Sequence, residues 1–252
     1  MITEQNQNIH SSNNQKFRFS KLQQLETINF AAHHQNILQA LVGRNISDEV
    51  ERIVSTEPNL EAGIKILEIG TGQGLTTREI LKIGKVGKVV SIDNDLEMVE
   101  QAVKNLKKYI NSGKLDIKIA DALEFLSSLS PASFPLIASG FTLHNFKNDY
   151  REKVLIEIFR ILEVGGLFIS ADKIMPDDKD VFERESRWQY EQFQKIPDSK
   201  IREEWIKHYK EDEAPAIIMK ECALKRIMEQ IGFVRIEISN RHHLDALITA
   251  RK

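Results

Sequence analysis

Residues 64–74 read Ile-Lys-Ile-Leu-Glu-Ile-Gly-Thr-Gly-Gln-Gly. An apolar strand run (Ile64, Ile66, Leu67, Ile69) ends in Gly70, Gly72 and Gly74, and a helix-compatible segment, 75–83, follows. Glycine lets a backbone take positive φ and approach a ligand without Cβ interference. The helix start then offers free N–H groups to something polar. Strand, glycine turn and helix in that order build a nucleotide pocket in α/β proteins. Two acids stand at later strand ends. Asp93 closes Val89-Val90-Ser91-Ile92, where a carboxylate can accept hydrogen bonds from ribose hydroxyls. Asp121 follows Ile117-Lys118-Ile119-Ala120, where it can receive the exocyclic amine of adenine. A histidine, His144, lies in the turn expected after the fourth strand, with a side chain whose ordinary pKa suits proton transfer near neutrality.

The spacing separates the nucleotide classes. A dinucleotide turn reads G-x-G-x-x-G, but here the third glycine falls one position early and Leu75 occupies the expected site. No Gly-Lys-Ser/Thr of a phosphate loop occurs. No Cys/His cluster has the sequence spacing of a metal site, so no metal is expected.

These residues must be positioned by an alternating chain. Strands are predicted at 64–69, 87–92, 115–120, 135–139, 166–172, 233–239 and 244–250, with helices at 75–83, 95–110, 121–129, 149–163 and 216–231. Short connections and β-α alternation favour a parallel sheet covered on both faces. Only four residues, 240–243, separate the last two strands, too few for a helical crossover, so they form an antiparallel hairpin. Residues 1–16, rich in Asn, Gln and Ser, are expected to be disordered. Residues 17–252 then form a single domain, opened by an N-terminal helical cap over 17–60. Residues 176–215 interrupt the alternation with charge and with Trp188, Tyr190, Phe193, Trp205 and Tyr209; two helices forming a lid over the ligand edge are expected there.

Composition sets the remaining bounds. The 252 residues carry a net charge of −2, which gives no global signal for nucleic acid. No apolar run approaches a membrane span, and the N-terminus lacks a secretory pattern. A single cysteine, Cys222, cannot form an internal disulfide; it suits a reducing cytoplasm and is expected to be a buried structural thiol. A homodimer is compatible with all of this.

Together the motifs resemble the class I S-adenosylmethionine-dependent methyltransferases. Their pattern is Glu/Asp-x-Gly-x-Gly-x-Gly, an acid after the second strand and an Asp-Ala-like pair after the third. This chain has Glu68-Ile-Gly-Thr-Gly-Gln-Gly74, Asp93 and Asp121-Ala122. Arg160-Ile-Leu-Glu-Val-Gly-Gly-Leu167 resembles the helix end and glycine turn that lead into that family's fifth strand. The resemblance implies a Rossmann-like, doubly wound, seven-stranded sheet, mostly parallel with a C-terminal antiparallel hairpin. It implies S-adenosylmethionine as cofactor, with S-adenosylhomocysteine as product. Gly70, Thr71, Gly72 and Gly74 would line its methionine and ribose portion, Asp93 would hold the ribose diol, and Asn94 would lie beside the adenine. Asp121 and Ala122 would frame the base, while Ser139 and Gly140 would lie under the sulfonium. Glu68 would orient the turn or reach the methionine amine through water.

Residues 139–146, Ser-Gly-Phe-Thr-Leu-His-Asn-Phe, should face the methyl group. They lack the Asp/Asn-Pro-Pro-Tyr/Phe turn of nucleobase amino-methyltransferases, the acid of metal-dependent catechol-type enzymes and the glutamates of protein arginine enzymes. A small organic acceptor is left, with His144 as candidate base or as a loop-fixing residue. His33 and His34 would contact the acceptor if the N-terminal helix caps the site, while His242 and His243 are expected to be exposed in the hairpin turn. Phe17-Arg-Phe, Phe141-Thr-Leu-His, Ala171-Asp-Lys and the helical insertion also look like the carboxy-S-adenosylmethionine synthase group, which acts in tRNA modification. Such a synthase needs basic residues for the added carboxylate; Arg184, Arg187 and Arg202 are available, but acidic runs at 203–204 and 211–213 oppose them. Plain methyl transfer is the leading reading; the synthase and a non-catalytic cofactor-binding module are the alternatives.

Overall fold

The computed structural model describes residues 46, 48, 52 and 63–252. The expectations for the tail 1–16, for most of the cap 17–60 and for His33 and His34 lie outside the described residues.

Seven strands form one sheet: β1 Ile64–Ile69, β2 Val86–Asp93, β3 Leu115–Ile119, β4 Phe134–Gly140, β5 Leu162–Lys173, β6 Val234–His242 and β7 Asp245–Arg251. Their order is β3-β2-β1-β4-β5-β7-β6. The first five pair in parallel, and β7 runs antiparallel between β5 and β6. β1, β2, β4 and much of β5 are buried, as strands covered on both faces must be. Two separate apolar clusters fill the two faces. One holds Leu67, Ile137, Phe168 and Phe233; the other holds Ile66, Ile80, Leu106 and Ile169, and Ile46 joins it. The doubly wound sheet with its closing hairpin is therefore the observed architecture.

The helices among the described residues are α1 Leu75–Lys82, α2 Leu96–Asn105, α3 Lys107–Asn111, α4 Ala122–Ser128, α5 Asn148–Ile161, α6 Lys179–Gln194, α7 Ser199–Asp212 and α8 Glu221–Ile231. Carboxylate caps start several of them. Asp95 accepts from the N–H groups of Glu97 and Met98, and Asp198 from those of Lys200 and Ile201. Each satisfies donors that the first turn leaves orphaned.

Two helices differ from expectation. The segment 95–110 breaks at Leu106, a fully buried side chain packed beneath Gly74; a Cβ on Gly74 would stand 2.5 Å from its Cδ1. The helix expected over 216–231 begins only at Glu221, because Lys220 pairs with Met175 in a parallel bridge. Cys222 is exposed, not buried: it sits in the first turn of α8, where its N–H donates to Asp177 at 2.8 Å. His243 is held, contrary to the expectation for a turn residue. Its ring stacks on Trp188 at 3.5 Å, and its Nδ1 lies 2.6 Å from Glu185. Among the described residues no helix is long and apolar enough to cross a membrane.

The insertion forms the two expected helices, α6 and α7. They carry a small core of their own, in which Phe193, Ile196, Ile201, Trp205 and Tyr209 pack together. One edge of α7 faces the C-terminal ends of β4 and β5, where open α/β sheets hold their ligands.

Candidate active site

A cavity of about 140 Å³ runs from the glycine turn to the insertion. Gly70, Thr71, Gly72 and Asp93 form one wall. Gly140, Phe141, Thr142 and His144 cross its middle, and Lys173, Trp205, His208, Tyr209, Asp212 and Asp245 form the far wall.

The near wall is made by backbone geometry. The N–H groups of Gly70 and Thr71 donate to the Ile92 carbonyl at 2.9 and 3.0 Å, tying the turn to β2. Gly70 has φ +86°, and a Cβ there would lie 1.9 Å from the Thr142 hydroxyl, so the position excludes any side chain. Asp93 is buried. Its Oδ2 accepts from Gly72 N–H at 2.7 Å and its Oδ1 from Asp95 N–H at 3.0 Å. Burial raises its pKa, and those backbone bonds oppose the rise. Behind the wall runs a buried relay. The Thr71 hydroxyl lies 2.5 Å from that of Ser91, and Ser91 and Thr77 both donate to Glu68 Oε2 at 2.6 Å. Burial pushes Glu68 up to about 7, with the two hydroxyl bonds holding it down in part.

A second, small recess is lined by Ile92, Asn94, Ala120, Ala122 and Phe146. Asp121 lines neither cavity: its Oδ1 caps α4 through Glu124 N–H and accepts the Tyr150 hydroxyl at 2.8 Å. Ser139 is fully buried and donates to the Ile69 carbonyl, pinning β4 to β1. Gly74 packs on Leu106, and Glu68 braces the turn from behind. The structure thus brings Gly70, Thr71, Gly72, Asp93, Asn94, Ala122, Gly140 and His144 to the two cavities, and places Glu68, Gly74, Asp121 and Ser139 in support of them.

The far wall is made by side chains from distant segments. His144 sits in a single 3-10 turn, Leu143–Asn145, that is gripped from two sides. Asp172, fully buried at the end of β5, accepts from Leu143 N–H at 2.8 Å and bonds the His144 ring at Nδ1. Arg151 of α5 donates to the carbonyls of Leu143 at 2.9 Å and Phe146 at 2.7 Å. Burial lowers the Arg151 pKa to about 10, so it still carries its charge. Burial also disfavours the imidazolium of His144, but the charge and hydrogen bond of Asp172 outweigh it, and the pKa is raised. Phe141, just before, has φ +49°, a strained conformation for a bulky residue, held by its N–H bond to the Ala171 carbonyl.

Lys173 is buried with its ammonium 3.1 Å from Asp212 and 3.4 Å from the centre of the Tyr209 ring. His208 Nε2 stands 3.7 Å from the same carboxylate. Burial would raise Asp212, but Lys173, His144 and His208 together hold it below its ordinary value. His144, His208 and Asp212 bring donor atoms within 4.8 Å of one another, the spacing of a metal-ligand set. The Lys173 ammonium already supplies a positive charge at that carboxylate, and a divalent ion would face it at close range. The donor set therefore fits an internal ion pair better than a metal.

Sequence reasoning missed Asp172, Lys173, Asp212 and Asp245 as site residues. Two signals were readable: Asp172-Lys173 ends an apolar strand at its ligand edge, and His208 and Asp212 are spaced i,i+4 on one helix face. Of the insertion's aromatics, Trp205 and Tyr209 line the cavity, while Trp188, Tyr190 and Phe193 do not.

Residues 66–166 match the family model described as a methyltransferase domain. That stretch is about two fifths of the chain, and it is similar to methyltransferase domains. Demethylmenaquinone methyltransferase of Leptospira interrogans is 28% identical over 116 residues, 46% of this chain and 45% of that protein. Carboxy-S-adenosyl-L-methionine synthase of a Shewanella species is 26% identical over 135 residues, 53% of this chain and 51% of that one. The chain spans about half the length of the curated relatives it matches. A solved SAM-dependent methyltransferase from Aquifex aeolicus superposes with a TM-score of 0.58 at 19% identity, covering 93% of this chain and 98% of that one. The matched stretch begins in β1 and ends in β5, and α6, α7 and the β6–β7 hairpin lie beyond it.

Proposed function

We propose that this chain transfers the methyl group of S-adenosylmethionine to a small organic acceptor bound between His144 and α7. The observation that carries this reading is the continuity of one cavity from the Gly70–Gly72 turn and Asp93 to the His144–Asp172 pair.

The cofactor, when bound, supplies an activated methyl group, so the protein's task is mainly alignment. Gly70–Gly72 admit the cofactor against bare backbone. Asp93 takes its ribose hydroxyls, its carboxylate already oriented by two N–H bonds. Asn94 and Ala122 flank the adenine, and Gly140 leaves room at the sulfonium. Holding donor and acceptor in line is worth about 7–11 kcal/mol of barrier. His144 takes the acceptor's proton, and Asp172 fixes the ring by its Nδ1; such a base contributes roughly 10²–10⁴-fold. No metal takes part. Arg184, Arg187 and Arg202 do not line the cavity, which favours methyl transfer over carboxylated-cofactor chemistry. The low net charge and the exposed Cys222 thiol support a cytoplasmic enzyme acting on small molecules and not on nucleic acid, as a monomer or homodimer.

Calorimetry on the purified protein tests the reading. S-adenosylmethionine and S-adenosylhomocysteine are expected to bind at one site per chain, unaffected by a chelator. No binding of either would overturn it.

A further inference from the structure

The far wall carries one carboxylate that has no hydrogen-bond partner among the described residues. Asp93 is held by Gly72 and Asp95, Asp172 by Leu143 and His144, and Asp212 by Lys173. Asp245, the first residue of β7, also lines the cavity, and among the described residues no hydrogen bond reaches its carboxylate. Lys173, His144 and Arg241 exert favourable charges on it, but the Lys173 ammonium is committed to Asp212 and seated on Tyr209, the His144 ring to Asp172, and the Arg241 guanidinium to Glu221 and the Ile174 carbonyl. Tyr209 lies near enough to Asp245 to feel its charge, and the rings of Trp205 and Phe141 line the same cavity.

An unpartnered carboxylate among aromatic walls is the recognition chemistry of an ammonium group. The chain already displays it once: Lys173 places its ammonium between the Asp212 carboxylate and the Tyr209 ring. From this juxtaposition we infer that the methyl acceptor carries a basic nitrogen, a protonated amine that docks against Asp245. This rests on the methyltransferase reading above and names its substrate class. Burial pushes Asp245 up to about 7, as expected for an acid whose charge awaits a cation. With a neutral or anionic acceptor the carboxyl would keep its proton, and the charge-assisted contact would not form. If the docked nitrogen is itself methylated, it first gives its proton to Asp245 or His144. Its lone pair then forms the N–C bond as the C–S bond breaks, and the sulfur leaves as the neutral thioether.

The test uses full-length protein saturated with S-adenosylhomocysteine and measures binding by calorimetry. The probes are tyramine, 4-ethylphenol and 4-hydroxyphenylacetate, which share a ring and differ in side-chain charge; methylammonium is set against methanol as the smallest pair. The ammonium members are expected to bind roughly tenfold more tightly than their neutral partners. Asp245→Asn should remove that preference while S-adenosylhomocysteine affinity stays within about twofold. Equal or tighter binding of neutral or anionic probes, a preference that survives in Asp245→Asn, or no binding by any ammonium probe would each overturn the inference. Loss of S-adenosylhomocysteine binding by the wild-type protein would instead strike the methyltransferase reading. Should Asp245→Asn fail to fold, the wild-type comparison still decides.

Discussion

The two halves of the cavity are built on different principles. The cofactor half is backbone: three glycines at positive φ and N–H groups aimed at carbonyls and at Asp93, all between residues 64 and 95. The acceptor half is side chain: His144, Asp172, Lys173, Asp212 and Asp245 arrive from a 3-10 turn, a strand end, an inserted helix and a hairpin. Backbone sites are fixed by local sequence and tolerate change around them. Side-chain sites exist only when distant elements have packed, so their charges couple stability to function.

This difference makes Asp212 the most consequential residue to change. Asp212→Ala leaves the Lys173 ammonium buried without its ion pair, and breaking such a pair by removing one partner costs about 3–5 kcal/mol. Thermal unfolding should fall by about 10 °C. The double variant Lys173→Met, Asp212→Leu should recover most of the loss, while cofactor affinity in the folded fraction stays unchanged. A drop in S-adenosylhomocysteine affinity equal to the loss of stability would erase the distinction between the halves.

The next effect is on chemistry. His144→Ala should lower kcat by roughly 10²–10⁴ and leave the S-adenosylhomocysteine Kd within about twofold. Because Asp172 raises the His144 pKa, the neutral, proton-accepting ring appears only above the ordinary histidine range. The rate should therefore rise with pH through that raised value, and His144→Gln should flatten the rise. A wild-type profile that is level from pH 6 to 9 would make His144 a loop-fixing residue. Asp93→Ala is the mirror experiment: it should weaken S-adenosylhomocysteine binding about 100-fold by removing a charged acceptor of two hydroxyl bonds, with little change in unfolding temperature.

The same division explains what the sequence revealed. The placement of Gly70, Gly72 and Asp93 on the cavity wall was legible because it follows from conformational freedom and strand ends, both local properties. The hairpin was legible because four residues cannot cross a sheet. The Asp121 contacts were not legible, because an acid at a helix start serves equally as a cap, and the Tyr150 hydroxyl that bonds it comes from 29 positions away. Asp245 was invisible for the same reason, since nothing within its own strand indicates that Lys173, Trp205 and Tyr209 gather beside it.

The smallest effect concerns Glu68, a fully buried carboxyl held by the hydroxyls of Ser91 and Thr77. Its pKa is raised to about 7 in the folded state, chiefly by burial, from an ordinary 4.5. The folded chain thus binds the Glu68 proton more tightly than the unfolded chain does. That contribution to stability is complete below pH 4.5 and is lost as pH rises through about 7. Between pH 5 and pH 8 the loss is about 2 kcal/mol. Glu68→Gln keeps an oxygen for Thr77 and Ser91 but carries no charge at any pH, so its unfolding free energy should decline less over that interval. Denaturant titrations at both pH values would measure it. An unchanged pH slope would mean that Glu68 is ionised in the folded state, and that the Thr71–Ser91–Glu68 relay holds a charge behind the glycine turn.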